Sequence, residues 1–147
     1  MTDLVSSSRP ARPEFRNIHP LHDLTGYRLP AAGIVSILHR VSGAIMFLLM
    51  PFIVWMFDMS ISSEVSFAKF SYVFHAGAGF VPGWFVKLVA LALIWAYLHH
   101  AIAGLRHLWM DATHAVSKEF GRSSAQTTLA LGTVLTLALG LKLFGVY

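Results

Sequence analysis

The chain has 147 residues, 56% of them hydrophobic and 12% charged, with a mean hydropathy of +0.63 and a formal net charge of +4. An average soluble domain carries about 25% charge, and a chain this short cannot bury so much apolar side chain in one aqueous core, so the composition excludes an ordinary soluble domain and predicts an integral membrane protein. The absence of cysteine excludes disulfides, thiolate-held iron–sulfur clusters and cysteine nucleophiles, and the modest positive charge reads as an orientation signal rather than nucleic-acid binding.

Residues 1–30 are polar and irregular, with Pro10, Pro13, Pro20, Pro30 and Gly26 interrupting any periodic pattern. They contain no apolar stretch of the kind a secretory signal needs. Residues 31–147 then predict an all-α anchor of three transmembrane helices, over about 31–57, 84–111 and 126–146. Pro51 falls inside the first run and predicts a kink there. The connection around "SSEVSFAKFSYVFHAGAGF" is the least patterned part of the chain, with an interfacial helix as one reading and no role assigned to His75.

Basic residues set the expected orientation. Arg9, Arg12, Arg16 and Arg28 precede the first span, and Lys118 and Arg122 lie between the second and third. The positive-inside rule therefore places the N-terminus and the second connection in the cytoplasm. The first helix then enters from the cytoplasm and the second ends there. This puts "SILHRVSG", with Ser36, His39 and Arg40, at the same membrane level as Arg106 and His107 of "HHAIAGLRHLWMD". Ionisable side chains inside a membrane cost several kcal/mol unless they are paired or face a cavity, which makes them functional candidates.

At about 100° per residue, His100, Gly104, His107 and Asp111 share one face of the second helix, while His99 shares a different face with Arg106. An imidazole, a residue without bulk and a second imidazole nearer the surface form a face suited to a flat macrocycle with acidic propionates. The bland alternative for His100 is a histidine hydrogen-bonded to a neighbouring helix. On this reading His39 lies at the wrong depth to join His100 on one iron and the third helix has no histidine, so a second axial histidine is expected from another chain. Zinc is disfavoured, because the spans offer no tight cluster of ligands.

The segments S-x-x-H-R-x-S (Ser36–Ser42) and H-x-x-x-G-L-R-H-x-x-M-D (His100–Asp111), preceded by Arg12–Pro13, resemble the signature of the cytochrome b membrane-anchor subunit of succinate dehydrogenase (respiratory complex II). Glu14 and Thr113 depart from that pattern, and neither falls on a presumed ligand. The resemblance implies that His100 is the axial ligand of haem b, shared with a second membrane-anchor subunit. It places His39, Arg40 and His107 around the haem propionates, and Ser36 and Arg40 at the ubiquinone site. It further implies a flavoprotein and an iron–sulfur subunit as partners, and no dicarboxylate site and no catalytic residue in this chain. The acids among residues 1–30 argue against a transit peptide, so a bacterial inner membrane is the expected location. Asp111 and His99 receive no role. The rival readings are a cytochrome b anchor of another respiratory dehydrogenase and a non-redox membrane scaffold.

Overall fold

The computed structural model describes residue 23 and residues 26–147. Five helices follow one another: α1 (Ala31–Leu48), α2 (Met50–Ile61), α3 (Glu64–His75), α4 (Gly83–Thr113) and α5 (Lys118–Leu143). Among the described residues there is no strand beyond an isolated Ala78–Val81 bridge. Helices α1, α4 and α5 are long and apolar enough to cross a membrane, so the chain has the all-α, three-span class that its composition predicts. Most of the expected N-terminal segment, residues 1–22 together with 24 and 25, lies outside the described residues.

The first apolar run is two helices rather than one bent helix over 31–57. Proline has no N–H to give to the carbonyl four residues back, so Pro51 leaves Phe47 O without its regular donor. The chain breaks at Leu49 (φ −92°, ψ 4°), whose N–H donates to Ile45 O at 3.0 Å. Pro51 then sits in the first turn of α2, where its missing donor costs nothing, and the helix runs on to Ile61.

The poorly patterned connection folds as α3. Ser63 caps it by accepting from Ser66 N at 3.1 Å, and the Ser66 hydroxyl accepts from Ser63 N at 2.9 Å. This reciprocal cap satisfies two amides that a helix start would leave unpaired. A turn at 76–82 then reverses the chain. Gly77 adopts φ 96°, and a Cβ there would collide with the Val81 carbonyl.

Helix α4, at 31 residues, is about 46 Å long and exceeds the ~30 Å hydrocarbon thickness, so its ends project beyond it. It is the hub, packing on α1, α3 and α5. Helix α5 begins eight residues before the apolar run expected from 126, because Ser117 caps it by accepting from Phe120 N at 3.2 Å and Glu119 sits in its first turn. An acid there complements the positive end of the helix dipole.

The buried centre takes one residue from each span: Val35, Ala103 and Ala125. Along α5 the buried positions are Ala125, Thr128, Gly132, Thr136 and Gly140, one line of small residues at helical spacing. Helices in lipid associate through close packing rather than a hydrophobic drive, and small residues permit it. The hydroxyls on that line stay satisfied within their own helix: Thr128 donates to Ser124 O at 2.9 Å and Thr136 to Gly132 O at 2.7 Å.

Enlarging this line should separate α5 from α4. A Cβ at Gly132 would already lie 3.8 Å from His99 Nδ1, so Gly132→Leu is expected to destabilise the bundle by about 1–3 kcal/mol, the usual range for overpacking. Thr133→Leu, on the neighbouring exposed position, is expected to be neutral. Thermal unfolding of both variants in detergent checks this, and equal melting temperatures would refute the packing account.

Candidate functional site

Of the sequence-selected residues, His39, His100, Gly104 and His107 meet at the seam between α1 and α4. From α1, the line Val35, His39, Ser42 turns toward α4, with Val35 and Ser42 fully buried. From α4 come His100, Gly104 and His107. The His39 ring stacks on His100, with centroids 4.1 Å apart and an interplanar angle of 17°, and lies tilted against His107 at 5.3 Å. Gly104 lies against it: a Cβ there would sit 3.5 Å from His39 Nε2, in ordinary packing contact.

The structure thereby corrects the expectation that His39 lies at the wrong depth to meet His100. His39 stands in the third turn of α1, and the antiparallel pairing brings its ring against both His100 and His107. The two rings nevertheless present π faces to each other, not ring nitrogens. They cannot clamp one iron between them, so His39 is set aside as a second ligand for a reason of orientation rather than depth.

His100 is held from one side. Its Nδ1 donates to the backbone carbonyl of His39 at 3.0 Å, and because a carbonyl only accepts, Nδ1 carries the proton. The Ser42 hydroxyl also donates to His39 O, at 2.9 Å, and its oxygen lies 3.4 Å from His100 Nδ1. Gly43 keeps the seat clear, since a Cβ there would meet His100 Cε1 at 2.9 Å. Nε2 has no hydrogen-bond partner among the described residues. His100 is therefore both hydrogen-bonded to a neighbouring helix and free at the nitrogen a metal would use. Among the described residues no group of three or more His, Asp or Glu could hold an ion, so one imidazole lone pair beside a glycine is the metal chemistry on offer. That donor set fits a macrocycle iron, which needs a single nitrogen from this side.

Ser36 and Arg40 lie four residues apart on α1, hence on one face. Ser36 is half-buried, Arg40 is exposed, and neither makes a hydrogen bond or ion pair among the described residues. A hydroxyl and a guanidinium are thus available to an acceptor beside the histidines.

The other face of α4 turns to α5. Arg106 donates from Nε to Ser124 Oγ at 2.9 Å and from an η nitrogen to Gly121 O at 3.2 Å. His99, 1% exposed, stacks on Trp95 at 5.5 Å and faces the Val35 backbone, and its Nε2 is buried without a hydrogen-bond partner. Asp111 is exposed at the end of the histidine face. His75 is exposed too, and its Nδ1 donates to Ser71 O at 2.9 Å, within its own helix. A cavity of about 890 Å³ lies elsewhere, chiefly among α2, α3 and α4, with walls such as Phe52, Met56, Phe74 and Leu93. None of the α1–α4 histidines reaches it. Sequence reasoning gave no role to Ser42, the last residue of the S-x-x-H-R-x-S motif, or to Gly43, because their contacts depend on the register between two helices. It missed the burial of His99 for the same reason.

The chain as a whole is similar to known proteins. A model of the succinate dehydrogenase/fumarate reductase transmembrane subunit family matches residues 15–139. The chain is similar to the succinate dehydrogenase cytochrome b556 subunit of Paracoccus denitrificans, at 31% identity over 147 residues covering 100% of both chains. It is also similar to the b556 subunit of Coxiella burnetii, at 32% identity over 80% of this chain and 90% of that one. The b560 subunit of Reclinomonas americana is 31% identical over 78% of each.

An unpaired buried nitrogen costs about 1–3 kcal/mol, so removing the one on His99 should help. His99→Phe is expected to melt at the same temperature as the parent or higher. A fall of several degrees would show that the imidazole makes a polar interaction that the bundle needs.

Proposed function

The chain belongs to the succinate dehydrogenase/fumarate reductase transmembrane subunit family, and from that premise we propose that it is the cytochrome b membrane anchor of a succinate:ubiquinone oxidoreductase. The observation that carries the proposal is His100, protonated at Nδ1 by its bond to His39 O, bare at Nε2 and flanked by Gly104. On this reading His100 Nε2 is the axial ligand of haem b, and a histidine of a second membrane-anchor subunit supplies the opposite ligand. His39, Arg40 and His107 hold the propionates, two imidazoles and a guanidinium toward two carboxylates. Haem b, when bound, supplies one-electron redox capacity beside the quinone site.

Ser36 and Arg40 form this chain's part of the ubiquinone site. The hydroxyl donates to a quinone carbonyl, and the guanidinium stabilises the negative charge that develops on its oxygen as electrons arrive. Two electrons and two protons convert ubiquinone to ubiquinol. The electrons come from succinate, oxidised in a flavoprotein subunit, through an iron–sulfur subunit seated on the cytoplasmic face of the anchor. The protons come from the same aqueous side. The basic residues Arg28, Lys118 and Arg122 support a cytoplasmic N-terminus and α4–α5 connection, with the spans in a bacterial inner membrane. The chain contributes no dicarboxylate site.

Two sets of variants test this. Ser36→Ala and Arg40→Ala are expected to lower succinate–ubiquinone reductase activity in the intact complex, by about 100-fold for the arginine, the scale of a lost charge-stabilising donor. Succinate oxidation by an artificial dye should persist, and parallel loss of both activities in an assembled complex would sink the quinone role. His100→Ala is expected to abolish the low-spin haem b signal in reduced-minus-oxidised spectra, and an unchanged spectrum would move the ligand to another residue.

A further inference from the structure

We propose that Ser42, acting with the backbone carbonyl of His39, is a positioning residue that fixes the proton of His100 on Nδ1 and sets how strongly Nε2 donates to iron. The inference deepens the reading of His100 as the axial ligand and rests on it.

Three features meet at one ring edge. The His39 carbonyl accepts from His100 Nδ1 at 3.0 Å. Ser42 gives its own proton to that same carbonyl at 2.9 Å, so the oxygen it leaves 3.4 Å from Nδ1 offers lone pairs and no hydrogen. Nδ1 is thus surrounded by acceptors only, and the tautomer with a bare Nε2 is the one that fits. Gly43, next in sequence, supplies the space, because a Cβ at that position would stand 3.2 Å from Nδ1 and 2.9 Å from Cε1. The His39 ring, stacked at 4.1 Å and 17°, covers one face of the imidazole and resists its rotation.

A serine bonding back to its own helix turn is common and often does no more than bend the helix. That explains the bond from Ser42 to His39 O. It does not explain why the imidazole edge of another helix lies on both oxygens, or why the adjacent position has no side chain. Ser42 is fully buried, so the dipoles act in a medium of low dielectric, where they are strong. A hydrogen bond to the far nitrogen of a ligating histidine fixes its tautomer and raises its basicity. A more basic ligand favours ferric over ferrous iron. His39 thereby acts on His100 through its backbone, independently of what its ring does.

The test is a potentiometric titration of the haem in the purified four-subunit complex, paired with the low-spin EPR spectrum. Ser42→Ala removes an acceptor without adding bulk. It is expected to retain haem and to shift the ferric–ferrous equilibrium toward the ferrous form by several-fold, approaching tenfold, which is about 59 mV for a one-electron couple. Ser42→Thr, which keeps the hydroxyl, is expected to restore the parent potential and spectrum, with Ser42→Cys, a weaker partner of similar size, in between. A parent-like potential and spectrum in Ser42→Ala would overturn the inference. So would loss of haem from all three variants, which would mean that packing volume rather than the hydroxyl matters. Haem surviving in His100→Ala with an unaltered spectrum would instead overturn the underlying ligand assignment, so the two failures are distinguishable.

Discussion

A histidine inside a membrane has no water to complete its hydrogen bonds, and the α1–α4 seam is organised by that constraint. An unsatisfied polar group in hydrocarbon costs several kcal/mol. His100 meets the requirement at Nδ1 with a carbonyl that is already part of a helix. The solution needs two helices close enough for an imidazole on one to reach the backbone of the other. Gly43 and Gly104 provide that approach, one under His100 and the other under His39. Fill the gap at Gly43 and His100 loses its seat before any question of cofactor or substrate arises.

The same constraint divides α4 into two working faces. The face carrying Ala96, His99, Ala103 and Arg106 closes against α5, where small residues let the helices meet and where Arg106 finds Ser124 Oγ and Gly121 O. The face carrying His100, Gly104 and His107 meets α1. Arg106 and His107 are adjacent in sequence yet serve different seams, because one residue is about 100° of helix rotation. The arginine ties the bundle at the end where α4 connects to α5. The histidine belongs to the cluster.

Much of this was legible in the sequence. Composition and three apolar runs were enough for the class, and the 100° rule separated His99 from His100 correctly, since each now faces the helix that its register demands. Boundaries were less legible where polar chemistry extends a helix past its apolar run. Ser117 and Glu119 start α5 well before the hydropathy rises, and Pro51 turns one run into two helices. The relation of His39 to His100 was not legible at all, because it depends on the offset between antiparallel helices, and a shift of one turn moves a contact by 5.4 Å. Ser42 and Gly43 were hidden for the same reason. The motif includes the serine, but its task and that of the glycine are not readable until the ring that they cradle is known.

The remaining asymmetry of the cluster bears on how it functions. His99 is enclosed by three helices and lacks an outlet, whereas His100 and His107 are only half-buried and Arg40 is exposed. A chain that satisfied every intramembrane polar group by itself would have covered this edge. Here the edge combines a free imidazole nitrogen, a guanidinium and a hydroxyl, each without a partner among the described residues. Such an arrangement is tolerable only if something polar completes it. On the proposed reading the completion comes from propionates, a quinone carbonyl and the second anchor. The chain's own contribution is then to hold one nitrogen bare and one cation unpaired against the tendency of lipid to bury or neutralise both.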